Sequence, residues 1–331
     1  MTETAAMIRS IQMTAPGGAE VLKHALIDLP APGAGEIRLR HEAAGVNFVD
    51  IYHRTGLYPL PCYPATLGVE GAGVVEAVGP GVEGLAVGDR VAWAGLPAGG
   101  YAEARLLAAD RAVRLPDGVE PVTAASLMLR GITVHMLLNR VCPVGPGSTI
   151  LVHAAAGGLG LLLTQWAKSL GATVIGTVGS AAKAETARAH GLDHAILYQE
   201  EDFVAAVRDL TGGRGADVAV DGIGGDTLRR TFDAVRLFGT VASVGQAGGP
   251  VSPIELSELG PRRSLCLARP SVFGYMSDLA AYRVAAEEVL SRVANGLSAG
   301  PVTCLPLDAA AEAHRALEGR GTSGALVLMP N

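Results

Sequence analysis

The run from Val152 to Gly160, VHAAAGGLG, constrains the fold of this chain more than any other feature, because it closes an apolar strand (149–153) and opens a helix (160–170) that Gly171 ends. A glycine turn at that junction brings backbone close to a pyrophosphate, and the free N–H groups and dipole of the helix start favour an anion. Gly157 and Gly158 permit the close approach, Gly160 lets helix and strand pack tightly, and Ala156 and Leu159 complete the turn. Ala155 stands where the first glycine of G-x-G-x-x-G would fall. A bare structural turn is the competing reading, and strand, helix and spacing together weigh against it.

Strands and helices alternate around this turn. Strands are expected at 173–178, 194–198, 216–220 and 240–244, and helices at 180–190, 200–210 and 227–237, with Ser180 as an N-cap and Gly191 as a stop. Such βαβ succession specifies a parallel sheet covered on both faces. Residues 1–125 differ. They are rich in Gly and Pro and read as short strands at 36–41, 71–78 and 90–93, before a helical period sets in over 123–139. Beyond 269 the alternation stops, and a helix over 278–295 and an Ala-rich helix over 308–316 precede a closing apolar strand at 324–329. A chain of 331 residues exceeds what one hydrophobic core supports, so two domains are expected.

Charge excludes one class of partner. The formal net charge of −6, with no local run of Lys or Arg, repels a phosphate backbone and argues against nucleic acid. Apolar stretches fall short of the roughly 18 residues a membrane span needs, and MTETAAMIRS lacks the cationic start and apolar block of a signal peptide, so a cytoplasmic location is expected. Four separated cysteines with no CxxC argue against a disulfide framework and a four-cysteine zinc lobe.

The dinucleotide's identity follows from a missing acid. NAD-binding turns are followed after about 20 residues by a carboxylate that accepts from the adenosine ribose. No Asp or Glu occurs from Leu161 to Ala184, and the second strand runs instead into Gly179, Ser180 and Lys183. A carboxylate would repel a 2′-phosphate, whereas a lysine attracts it, so NADPH is the expected cofactor. A merely solvated Lys183 is the alternative, and it leaves the missing acid unexplained.

GTVGSAAKA (176–184) and VNFVDIYHRTGLYP (46–59) resemble the quinone oxidoreductase family, zeta-crystallin-like members of the medium-chain dehydrogenase/reductase superfamily. The resemblance runs from VLKHALIDLP near the start to GALVLMP at the end. It implies an α/β protein: a GroES-like β-rich catalytic domain, residues 1–125 completed by 270–331, and an inserted Rossmann domain with a doubly wound parallel sheet, residues 126–269. Alcohol-oxidising members of the superfamily carry a catalytic zinc, bound by a Cys where Asn47 stands and a His where Val69 stands in LGVEGAG; a further cysteine is missing from 129–133. Asn and Val cannot replace thiolate and imidazole, so no metal is expected.

By the same resemblance, Lys183, Tyr198 and Arg320 gather around the 2′-phosphate, and Thr133 lies near the nicotinamide. A core role for Tyr198 and a solvated Arg320 are the alternatives. Val244, Gly245 and Gln246 end a parallel strand on the side of the sheet where ligands bind. Reducing a quinone needs a hydride donor facing a flat, electron-poor ring and modest hydrogen bonding to the oxygen that gains charge. Asn47, Tyr52 and Tyr58 offer an amide and two phenols for this, and Arg269 offers positive charge; packing is the alternative for the tyrosines. Asp50 and Glu70 read as capping or ion-pairing groups. No paired-carboxylate constellation suggests hydrolytic chemistry.

The expected activity is therefore NADPH-dependent, zinc-independent reduction of a quinone or other electron-poor carbonyl substrate. Reduction of an activated C=C bond in an enone or enoyl thioester, and a non-catalytic NADPH-binding sensor or scaffold, are the competing readings. Family resemblance also implies a homodimer.

Overall fold

The computed structural model describes residues 6–319 and 321–330. The chain divides into two units, one of residues 1–132 with 276–331 and one of residues 133–275.

The first unit is organised by the strand Glu36–Val46. Its first half alternates between buried Ile37 and Leu39 and more accessible Arg38 and Arg40, while Ala43 to Val46 are buried throughout. It pairs antiparallel with Glu70–Val78, Ala104–Ala108 and Ala325–Met329. The sheet runs in the order Val302–Pro306, Ala325–Met329, Glu36–Val46, Glu70–Val78, Arg90–Ala94, Val113–Arg114. The end of the chain thus returns to its beginning, with Leu328 opposite Ala44 and Val327 opposite Gly45. A second antiparallel sheet holds Lys23–Leu29, Ala6–Met13 and Ala65–Thr66. Met13, Val46, Leu67, Leu326 and Leu328 meet in one apolar cluster, where full burial of such side chains stabilises by roughly 1.5–3 kcal/mol each.

The second unit carries six parallel strands in the order His194–Leu197, Thr173–Val178, Thr149–Val152, Ala216–Asp221, Val235–Ser243, Cys266–Ala268. Strand order reverses direction across Thr149–Val152, the topological switch where ligands bind in open α/β sheets. Leu151, Ile175 and Val241 are buried in the sheet, as in strands covered on both faces. Helices Gly158–Ser169, Ala181–Ala189, Phe203–Leu210 and Gly225–Ala234 connect the strands.

Two expected helices are drawn differently. The segment expected over 123–139 breaks into Pro121–Ala125, Met128–Met136 and a π-helical turn Leu137–Val141. Glu70 accepts the amide of Leu129, which lies in the first turn of the second of these helices. The helix expected over 227–237 stops at Ala234, because Val235 already enters the next strand. Among the described residues no helix is long and apolar enough to cross a membrane.

Candidate functional site

In the second unit the glycine turn follows the strand Thr149–Val152, and helix Gly158–Ser169 begins with Gly157 as its N-cap. No side chain caps that terminus, so the amides of the first turn remain available to an anion. Gly160 is required by space: a Cβ there would lie 2.7 Å from Ala155 Cα and 2.8 Å from Ala155 O. The approach is enforced from below, since Ala154 adopts φ 52° and Ala155 donates its N–H to Thr177 O at 3.0 Å. A non-glycine residue at positive φ stores strain that persists only where its surroundings over-determine it. Here the surroundings include buried His153, whose two ring nitrogens meet Thr177 Oγ1 at 3.0 Å and Thr231 Oγ1 at 2.8 Å. Burial lowers the His153 pKa to about 4, so the ring is neutral and bridges two strands and a helix as a structural strut.

Beyond the second strand, Ser180 caps helix Ala181–Ala189 by accepting the N–H of Lys183 at 3.3 Å, which places the lysine in the first helical turn. Tyr198 lies just past strand His194–Leu197 and is half exposed, and its hydroxyl would sit 3.1 Å from a Cβ at Gly179. Gly179, Ser180, Lys183 and Tyr198 therefore form one patch at the carboxyl ends of two adjacent strands. The donor set fits a phosphate: a cation, a hydroxyl, a phenol and helix-start amides, with no carboxylate among the three side chains. Arg320 lies outside the described residues. Thr133 begins this unit and is partly buried.

The strand Val235–Ser243 ends beside Val244, Gly245 and Gln246, and Arg269 joins it there. Arg269 Nη1 donates to Ser243 Oγ at 2.9 Å, Ser243 O at 3.2 Å and Gly245 O at 3.3 Å. Asp221, at the end of the neighbouring strand, faces the same group. Its Oδ1 accepts the amides of Ile223 at 2.5 Å and Gly224 at 3.1 Å, and its buried Oδ2 has no hydrogen-bond partner among the described residues. Burial raises its pKa, and the two amides and the Arg269 charge oppose that rise. Asp221 was not picked out from the sequence. The one signal was an acid closing an otherwise apolar strand, ADVAVD.

In the first unit, Asn47 is the N-cap of helix Phe48–Thr55. Its backbone N–H donates to Asp50 Oδ2 at 2.8 Å, and its amide Nδ2 donates to Glu70 Oε1 at 2.6 Å. Glu70 Oε2 accepts the N–H of Leu129 at 2.7 Å. Gly45 lets this happen, because a Cβ there would collide with Glu70 Oε1 and Ala125 O. Glu70 and Asp50 are both fully buried. Burial raises the Glu70 pKa, opposed first by the charge of Arg130, whose guanidinium donates to Val46 O at 2.8 Å and Ser126 O at 3.1 Å. Burial also lifts Asp50, to about 7. Tyr52 and Tyr58 stack edge to face with ring centroids 5.2 Å apart, and Tyr58 donates its N–H to Tyr52 O at 3.0 Å.

This donor set does not fit a catalytic zinc. Asn47 commits an amide N–H to Glu70, Val69 is a buried isopropyl group, and no group of three His, Cys, Asp or Glu side chains among the described residues could hold a metal.

Comparison with known proteins agrees with both units. Residues 33–117 match the family described as alcohol dehydrogenase GroES-like domain, and residues 158–291 match the family described as zinc-binding dehydrogenase. A quinone oxidoreductase of Pseudomonas aeruginosa is 42% identical, covering 98% of this chain and all of its own length. A 2-haloacrylate reductase of a Burkholderia species is 41% identical, over 98% of this chain and 99% of its own. The structure of the Escherichia coli quinone oxidoreductase complexed with NADPH superposes with a TM-score of 0.93 at 39% identity, covering 97% of this chain and 100% of that one. A parallel sheet opened by a glycine turn, a β-rich unit closed by the chain's last strand, and near-full-length identity around 40% lead to one assignment: this chain belongs to the quinone oxidoreductase family of the medium-chain dehydrogenase/reductase superfamily.

Proposed function

We propose that this protein is an NADPH-dependent quinone oxidoreductase that works without zinc. The observation that carries the reading is the patch of Gly179, Ser180, Lys183 and Tyr198 beyond the glycine turn, a cationic and neutral hydrogen-bonding surface where an NAD enzyme would place a carboxylate. When bound, NADPH supplies a hydride to the substrate. The turn's amides, from Gly157 to Gly160, take the pyrophosphate; Lys183, with Ser180, Tyr198 and Arg320, takes the 2′-phosphate; Thr133, Val244, Gly245 and Gln246 border the nicotinamide. Asn47, Tyr52 and Tyr58 hydrogen-bond the quinone oxygen that gains charge, and Arg269 adds positive potential.

Replacing Lys183 with Glu tests the phosphate assignment. NADPH affinity is expected to fall by at least about tenfold relative to NADH, because a carboxylate repels the extra phosphate and not the ribose hydroxyl. Unchanged preference in paired titrations removes the assignment. Tyr52→Phe is expected to lower kcat about tenfold while leaving NADPH affinity within about twofold, the signature of a contact made in the transition state. A wild-type kcat returns Tyr52 to a packing role, in its edge-to-face pair with Tyr58.

Similarity to a 2-haloacrylate reductase favours a second reading, reduction of an activated C=C bond. Parallel NADPH-oxidation assays with 1,4-benzoquinone, 2-chloroacrylate and a crotonyl thioester separate the two. Tight NADPH binding with no turnover on any acceptor supports a sensor or scaffold instead. We also propose a cytoplasmic homodimer that pairs through the outer strand Cys266–Ala268, whose central Leu267 and preceding Leu265 are partly buried. Light scattering at a monomer mass of 33.7 kDa would reject the dimer.

A further inference from the structure

Behind Asn47, three buried polar side chains have no role in the account so far. Arg54, on the same helix as Asp50, is only 2% exposed, and Tyr101 and His314 are fully buried. Arg54 donates twice to Glu318, from Nη2 to Oε1 at 2.6 Å and from Nη1 to Oε2 at 3.1 Å, and its Nε donates to Gly17 O at 3.1 Å. Its Nη1 also lies 3.3 Å from His314 Nδ1. His314 Nε2 lies 3.0 Å from the Tyr101 hydroxyl oxygen. Tyr101 in turn acts on the Asp50 carboxylate electrostatically, without a hydrogen bond of normal length, while Asp50 Oδ1 has no close partner among the described residues.

Chemistry gives this chain one direction. Arginine has only donors, so His314 Nδ1 must accept and Nε2 must carry the proton. The Nε2–H then donates to the Tyr101 oxygen, and the Tyr101 O–H is left to point at Asp50. Burial, with the neighbouring Arg54 charge, lowers the His314 pKa to about 3, so the ring stays in this neutral tautomer at any working pH. Burial and the Asp50 charge hold the phenol well above its usual range, so Tyr101 keeps the proton it offers. Aligned dipoles in such a chain reinforce one another in a low-dielectric interior.

We propose that Arg54, His314 and Tyr101 are positioning residues for the reaction at Asn47: they form a directed hydrogen-bond chain from the surface carboxylate of Glu318 to the Tyr101 hydroxyl, whose interaction with Asp50 favours the anionic form that accepts the Asn47 N–H. The inference rests on the reading of Asn47 as a substrate-contacting group. A protonated Asp50 accepts the Asn47 amide weakly and adds a buried O–H with no acceptor in place. The other charged groups facing Asp50 are Glu70, which opposes its ionisation, and Arg130, which favours it; neither belongs to the chain. The helix Ala310–Glu318, more than 200 residues away in sequence, thereby reaches the N-terminus of Phe48–Thr55.

The test uses full-length protein carrying Tyr101→Phe, His314→Leu or His314→Gln, the last of which can still donate to Tyr101. In Tyr101→Phe and His314→Leu, the acid limb of the kcat–pH profile is expected to move up by about one unit, with the KM for NADPH within about twofold of wild type. Hydrogen exchange at the Asn47 amide at pH 6.5 is expected to accelerate about tenfold in both, and His314→Gln to recover at least half of each change. A general loss of stability with an unmoved pH profile, or unchanged Asn47 exchange, overturns the proposal. Should Tyr101→Phe fail to fold, the same readouts on Glu318→Gln, at the exposed end of the chain, decide it: a smaller shift in the same direction supports the proposal, and none overturns it. If wild-type protein reduces no quinone, the function is wrong; the exchange rate at Asn47 still reports on the chain.

Discussion

Arg130→Met is expected to destabilise the protein by about 3–5 kcal/mol at pH 8, because it removes the cation beside a fully buried carboxylate. Glu70 keeps its bonds from Asn47 Nδ2 and Leu129 N, but two neutral donors do not replace a charge. The sign of the pH dependence follows from linkage. Burial already raises the Glu70 pKa, and loss of Arg130 raises it further, so the folded variant binds a proton that the unfolded chain has released. Stability of the variant therefore falls as pH rises above the unfolded value near 4.3 and levels off beyond the folded one, so the deficit is smaller at pH 5 than at pH 8. Adding Glu70→Gln is expected to recover much of the loss, since the two sites share one interaction. Denaturant melts of the four proteins of this cycle check it, and a variant within about 1 kcal/mol of wild type at pH 8 contradicts the pairing.

Asp50→Asn is expected to act in the opposite sense. The Asp50 carboxyl titrates at about 7 when folded, chiefly through burial, against an ordinary value of 3.8. Between those values the folded protein holds a proton that the unfolded chain lacks, so the wild type loses stability from about pH 4 to pH 7 and stays lowered above it. An amide has no such window. Relative to wild type, Asp50→Asn should gain about 2–4 kcal/mol between pH 5 and pH 8, each pKa unit being worth about 1.4 kcal/mol. Its amide can still accept the Asn47 N–H, and any fixed cost of the new NH2 cancels in the difference. Parallel stability curves for the two proteins would reject a strongly raised Asp50.

The lesson for sequence reading lies in which interactions are local. The glycine turn, the Ser180 cap and the strand–helix alternation were legible because each is set by residues within about ten positions of one another. The first strand and the turn appear where the apolar run and the glycines place them, while the helix runs Gly158–Ser169, starting before the expected 160. The break at 126–127 was not legible, and neither was the bond that Glu70, from another part of the chain, takes from Leu129 in the first turn after it. Likewise Asp50 and Glu70 could be read as capping and pairing groups, but Tyr101 and Arg130, which act on them electrostatically from elsewhere in the chain, could not be named. Tyr101 and His314 are 213 residues apart, and neither lies in a motif. Asp221 was missed for a different reason: an acid at a strand end looks like a solvated terminus until its neighbours Ile223, Gly224 and Arg269 are seen. The strained Ala154 was invisible because alanine advertises no positive φ.

The account depends on a 2′-phosphorylated dinucleotide seating on the amides after Thr149–Val152 and on the patch around Lys183. Calorimetric titration of the purified protein with NADPH and with NADH tests this directly. NADPH is expected to bind at least about tenfold more tightly, a difference of about 1.4 kcal/mol; equal affinities, or no binding of either, would contradict it.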